Sequence, residues 1–220
     1  MSSIQATQSL GEIATQLPGA TAVFRRHKLD FCCGGKQSLD AACRAKQLDP
    51  QALVAELTHL QPQDDERPMD ASPGVLIDWI LQRFHERHRQ QLPELVRMAA
   101  RVEAVHKAHP NVPVGLAAHL EAMEQELLSH MDKEEQILFP LMKRGAKGMV
   151  NGPIAMMRHE HDDHGLALQT LEQLTHDHQP PAGACNTWRA LYLGTRQLQD
   201  DLMQHIHLEN NLLFPTFEAA

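Results

Sequence analysis

Apolar residues recur at helical spacing along most of the chain, and no apolar–polar alternation runs beyond a few residues. After residue 72 the pattern predicts four long helices. The first begins at Ser72-Pro73 and runs to about His106, with Pro93 as an expected kink. The second follows Pro113 and ends near Lys143, the third opens at Gly152-Pro153 and ends near His176, and the fourth runs from about Ala182 to near Phe214. The connections, Ala108 to Val112, Arg144 to Asn151 and Asp177 to Pro181, are short, which favours an up-down-up-down bundle. Upstream, Ser9-Leu10-Gly11-Glu12 opens a short helix, Pro18 starts the next, Ser38 caps a third and Asp49-Pro50 a fourth. The segment Gln61 to Ser72 is polar, carries Pro62 and Pro68 and has no apolar period, so it reads as a linker. The expected class is all-α: a small helical domain over 1–60, a linker over 61–72 and a four-helix bundle over 73–220.

Of the 220 residues, 42% are hydrophobic and 22% charged, enough for a buried core and too apolar for wholesale disorder. The 28 acidic residues outnumber the 20 basic ones and leave a net charge of −8, which argues against a nucleic-acid partner. Apolar runs are short, as in Val75-Leu76-Ile77, so no membrane span is expected. The N-terminus lacks the basic start and apolar core of a secretory signal. Cys32, Cys33, Cys43 and Cys185 form no CxxC pair or secreted framework, which points to a reducing cytoplasm.

The 15 histidines change the picture, because neutral imidazole is the commonest metal ligand. His130–Pro140 and His205–Pro215 both read H-x-x-x-E-x-x-x-L-F-P, and His85–His88 and His161–His164 both read H-acid-x-H. The first two bundle helices thus resemble the last two in a pseudo-twofold arrangement. Helical positions i and i+4 lie about 40° apart, so His130 with Glu134, and His205 with Glu209, share a face. His85 and His161 can add one imidazole each. A single H-x-x-x-E is readily a solvated ion pair, but here the apolar Leu-Phe that follows turns both copies toward the core. Four imidazoles and two carboxylates suit two metal ions sharing the carboxylates. Iron or manganese fits such donors, zinc remains open, and copper(I) does not suit them.

Glu126 lies one turn before His130, and Glu160 directly precedes His161. Either can act as a base, orient a ligand imidazole or line a path to the site, and either can equally be solvated. His88 and His164 are assigned supporting or structural roles. His159, His176 and His178 are expected on the surface, and Met123, Met131, Met142, Met156, Met157 and Met203 in the core. Cys32 and Cys33 are adjacent, with Cα atoms about 3.8 Å apart, short of the disulfide range of about 4.4–6.8 Å. Gly34-Gly35 frees the backbone after them, and Lys36 with the helix start at Ser38 would lower a thiolate pKa. They are either exposed redox thiols or two small buried side chains. Cys43 and Cys185 are expected to be buried and inert.

The bundle motifs resemble hemerythrin-like di-iron proteins. Phe31–Lys36, His85–Leu95, His130–Pro140, Glu160-His161-Asp162 and His205–Pro215 together resemble the iron–sulfur cluster repair family, over nearly the whole chain. The resemblance implies two non-heme irons, carboxylate and oxo bridged, held by His85, His130, Glu134, His161, His205 and Glu209, with Glu134 and Glu209 bridging. It places Glu126 and Glu160 on the route into the site and matches Cys32 and Cys33 to the family's paired cysteines. It implies a cytoplasmic protein that helps restore iron–sulfur proteins damaged by nitrosative or oxidative stress, as an iron donor. Reduction of nitric oxide at the paired irons, or binding and buffering of nitric oxide or oxygen, are the alternatives. Homodimerisation is left open.

Overall fold

The computed structural model describes residues 4–60, 72–146 and 148–218. Apart from Ser72, the expected linker lies outside the described residues.

Four short helices come first: α1 (Leu10–Gln16), α2 (Ala20–Arg26), α3 (Leu39–Ala45) and α4 (Pro50–Thr58). Ser9 and Glu12 form a reciprocal capping box, Ser38 accepts from the Ala41 amide and Asp49 from the Gln51 amide, so these starts are the expected ones. The second start is not. It falls at Ala20 rather than Pro18, because the left-handed Gly19, at φ 87°, cannot continue a helix. Leu10, Ile13, Val23, Phe24, Phe31, Leu39 and Leu57 close a small core between the four helices.

The bundle follows as α5 (Pro73–Ile80), α6 (Glu86–Val105), α7 (Leu116–Lys133), α8 (Phe139–Lys143), α9 (Asn151–Leu174) and α10 (Asn186–Leu208). Three wide π-helical turns interrupt or extend these helices at Leu81–His85, Glu134–Leu138 and Glu209–Leu213. In each, the following amide reaches back five residues: Glu86 to Leu81, Phe139 to Glu134 and Phe214 to Glu209. Pro140 and Pro215 follow two of these turns, and a proline ring crowds the carbonyl four residues earlier, which a wider turn relieves. Pro93 sits inside α6, where Leu92, Leu95 and Ala99 are packed and one lost hydrogen bond does not end the helix. The fourth bundle helix starts at Asn186 rather than Ala182, since Gly183 at φ 84° holds a turn there.

Helix α6 packs on α7, α7 on α9 and α9 on α10, and α10 closes the ring against α6. Two apolar clusters fill it. Leu92, Leu120, Leu127, Trp188 and Leu198 belong to one, and Ile80, Phe84, Leu138, Phe139, Ile154 and Phe214 to the other. Between them lies a buried polar layer: His85, His88, His130, Glu134, His161, His164, His205 and Glu209.

The small helical unit docks on the side of this layer. Arg25 pairs with Asp200 at 3.0 Å, and Asn211 donates to the Phe31 carbonyl at 3.1 Å. Gly11 and Gly35 permit the approach, since a Cβ on either would sit 2.6 or 2.7 Å from Asn211 Oδ1.

Candidate metal centre

Each of the three π-turns starts or ends on a residue of the centre: His85, Glu134 and Glu209. A turn that winds five residues per hydrogen bond shifts the side-chain register, and such bulges recur at functional sites. Here they aim three helices at one point. His161 comes from the regular α9.

All six predicted residues meet. His85, Glu134, His205 and Glu209 form one set of converging donor atoms, and His130, Glu134, His161 and Glu209 a second, each within 4.8 Å. Both carboxylates belong to both sets. Glu134 Oε2 lies 3.4 Å from His85 Nε2 and 3.5 Å from His130 Nε2. Glu209 lies 3.0 Å from the Nε2 of both His161 and His205. The imidazoles also meet in pairs, Nε2 to Nε2: His85 and His205 at 3.1 Å, His130 and His161 at 3.2 Å.

With Nε2 facing inward, Nδ1 faces outward, and its partners differ. His85 Nδ1 donates to Glu135 at 2.7 Å, and Glu135 is held in turn by Arg89 at 2.7 Å. His130 Nδ1 donates to Glu160 at 2.8 Å, which also accepts from Lys133 at 2.5 Å. His161 Nδ1 donates to Asn210 Oδ1 at 2.9 Å. His205 Nδ1 has no hydrogen-bond partner among the described residues, and its ring stacks on Phe84. Hydrogen bonds of this kind fix the tautomer that leaves Nε2 free for a cation.

Burial sets the protonation. It pushes His85 down to about 4, helped by the neighbouring His205, and it drives His130 well below the usual imidazole range. Neutral imidazole is the ligand form. Burial and the charge of Glu209 push Glu134 well up. Burial acts on Glu209 in the same direction, but the imidazoles of His205 and His161, each 3.0 Å away, outweigh it and hold Glu209 well below the usual range. Neither Glu134 oxygen meets a hydrogen-bond donor among the described residues. Fully buried carboxylate oxygens without donors, facing four ring nitrogens, are what a pair of divalent cations would satisfy. The nitrogen and oxygen donors fit iron, manganese or zinc.

The remaining assignments divide. Glu160 contacts the centre through His130, while Glu126 is exposed and lines, with Glu160, Lys133 and His164, a cavity of about 700 Å³ beside it. His164 sets its ring edge on His130, and burial pushes it down to about 3. His88 is buried against Phe84 and His205. His178 is not on the surface: it is buried between Thr175, Thr195 and Gln199, which satisfy both ring nitrogens. Met156 is 54% exposed and fills no core. Cys43 is buried as expected, but Cys185 is half-buried and its Sγ lies 3.2 Å from His106 Nε2.

The thiols of Cys32 and Cys33 lie 3.8 Å apart and form no disulfide. The lowered thiolate pKa expected from Lys36 and the α3 start is not found at Cys32. Its thiol is pushed well above the usual range by its hydrogen bond with Cys33, by burial and by the nearby Asp30. Cys32 packs into the bundle core, and Cys33 Sγ donates to the His161 carbonyl at 3.2 Å. Glu135, Asn210 and Arg158 were not singled out from the sequence. The internal repeat carries a signal for two of them, since Glu135 and Asn210 each directly follow the shared glutamate of their half.

The model of the hemerythrin HHE cation binding domain matches residues 76–217. A second, described as a domain of unknown function (DUF542), matches residues 6–61. The iron–sulfur cluster repair protein YtfE of Yersinia pseudotuberculosis serotype IB (strain PB1/+) is 54% identical over 210 residues, covering 94% of this chain and 95% of that protein. The protein of the same name from Yersinia pestis (strain Pestoides F) is equally similar, with the same coverage. With both segments matched and the relatives aligned almost end to end, the chain belongs to the iron–sulfur cluster repair family, built on a hemerythrin HHE cation-binding domain.

Proposed function

We propose that the protein holds two iron ions bridged by Glu134 and Glu209, and that it donates iron to iron–sulfur proteins damaged by nitrosative or oxidative stress in the cytoplasm. His85 and His205 would complete one position, His130 and His161 the other. The observation that carries this reading is the sharing of both buried carboxylates by two His-Glu sets. The repair role is supported by the relatives, which are named iron–sulfur cluster repair proteins. We place the division between the small unit and the bundle within 61–72, between the two matched segments.

When bound, an iron pair supplies redox capacity and affinity for nitric oxide, oxygen and a bridging oxo group. The chain's own residues do the rest. Burial keeps His85 and His130 neutral. Glu135, Glu160 and Asn210 hold three of the rings by their outer nitrogens. Glu160 and Glu126 give the adjoining cavity a carboxylate lining suited to a departing cation, with Lys133 moderating its charge.

The test is reconstitution. Iron-loaded chain, as the sole iron source, is mixed with a nitric-oxide-damaged cluster enzyme under reducing conditions. Return of cluster absorbance and enzyme activity, with matching loss of iron from the chain, is expected. No recovery rejects donation, and steady nitrous oxide formation by the reduced protein instead would assign the site to nitric oxide reduction.

A further inference from the structure

We propose that Asn210 is the positioning residue through which the Cys32–Cys33 loop governs the metal position of His130 and His161. The proposal rests on the two-metal reading above, and only the last arm of its test needs a metal.

The two halves of the bundle differ at one informative place. In the first half Glu135 accepts from His85 Nδ1, and in the second Asn210 stands at the matching place and accepts from His161 Nδ1. A carboxylate is acceptor-only, so either oxygen holds the ring in the same tautomer. An amide has two faces. Turned over, it offers NH2 to the ring, favours a proton on Nε2 and removes the lone pair a cation needs. Something must hold the amide one way.

Two neighbours do so. Arg158 Nη1 donates to Asn210 Oδ1 at 3.2 Å, and Arg158 Nη2 to the Asn210 carbonyl at 3.2 Å. Asn210 Nδ2 donates to the Cys32 carbonyl at 3.1 Å. The guanidinium only donates and the carbonyl only accepts, so a flipped amide would set donor against donor and acceptor against acceptor. The Cys32 carbonyl comes from the small helical unit, so that unit acts with Arg158 in selecting the tautomer of a bundle histidine.

Cys33 adds a second tie. Its thiol donates to the His161 carbonyl at 3.2 Å and lies beside Gly165. Displacing the loop therefore removes the carbonyl that orients Asn210, at the metal position that borders the cavity through His130 and Glu160.

Asn210→Ala and Asn210→Asp in the full chain separate the links. The Asp variant keeps the acceptor for His161 but cannot donate to Cys32. Long-range proton–nitrogen correlation on histidine-labelled apoprotein reports the His161 tautomer. Mass mapping of alkylation by iodoacetamide reports the freedom of Cys33. Asn210→Ala is expected to lose the single His161 tautomer and to alkylate faster at Cys33. Asn210→Asp is expected to keep the tautomer yet alkylate faster. With cobalt(II) as the probe metal, Asn210→Ala is expected to release one of two ions roughly 10-fold faster or more, and Asn210→Asp to retain both. An unchanged His161 tautomer in Asn210→Ala, or unchanged Cys33 alkylation in Asn210→Asp, overturns the relay. Asn210→Asp carries the test if Asn210→Ala does not fold. Wild-type protein that binds no metal pair while both apoprotein results hold would instead reject the two-metal reading and leave the relay standing.

Discussion

Glu134 and Glu209 each face two imidazoles, one from each of the two His-Glu sets. Removing a carboxylate should therefore cost both ions, whereas removing one histidine should weaken one position. We expect Glu134→Ala or Glu209→Ala to lose the whole metal complement, and His205→Ala to keep one of two ions, as measured by metal analysis of purified chains. Equal loss in all three would contradict the sharing of carboxylates. The six residues were legible in the sequence because the i,i+4 rule and the internal repeat place them together without tertiary information. Of the residues that hold them, Glu160 was legible beside His161, whereas Glu135 and Asn210 were not. A position next to a ligand points about 100° away around the helix, and the partner it meets there is decided by packing. Glu135 reaches His85 across two helices, and Asn210 reaches a loop far earlier in the chain.

Helices were legible from their caps and apolar periods, but the wide turns were not. One extra residue in a turn barely alters a hydrophobic period, so Leu81–His85, Glu134–Leu138 and Glu209–Leu213 all read as ordinary helix. The repeated Leu-Phe-Pro was the trace two of them left. Docking of the small unit was also beyond the pattern, since it depends on close approach rather than on apolar spacing. A Cβ at Gly11 would lie 2.6 Å from Asn211 Oδ1 and 3.1 Å from the Gly35 carbonyl. Asn211 is tied to the Phe31 carbonyl and cannot swing aside freely. Gly11→Ala is expected to cost about 1–3 kcal/mol, as overpacking does, and to hasten proteolysis between the two units. An unchanged melting midpoint would show that the interface yields without strain.

For the molecule as a whole, acid should destabilise the metal-free form. His85, at about 4, and His88, His130, His164 and His178 are all held below the ordinary imidazole value of 6.5, chiefly by burial. The unfolded chain takes up these protons first, so the histidine contribution is complete above about 6.5 and is lost as pH falls toward about 4. Glu209, held low, acts in the same sense below 4.5. Glu134, held high, acts oppositely: its contribution is present at low pH and fades as pH rises through its folded value. Five histidines outweigh one glutamate. Stability of the apoprotein is expected to fall by several kcal/mol over this range, on the order of 1.4 kcal/mol per unit of pKa shift. Chemical melts with chelator should show it, and a flat profile would refute it. Metal-loaded protein should melt higher at neutral pH and converge on the apoprotein as protons compete for the ligands. The sandwiched polar layer then has a cellular consequence. Under the proposed donation, a chain that hands on its ions is left with buried polar groups that lack partners at its centre, opens more often and meets proteases sooner. Spent copies would be cleared ahead of charged ones, so the abundance of the protein would track the supply of its cargo.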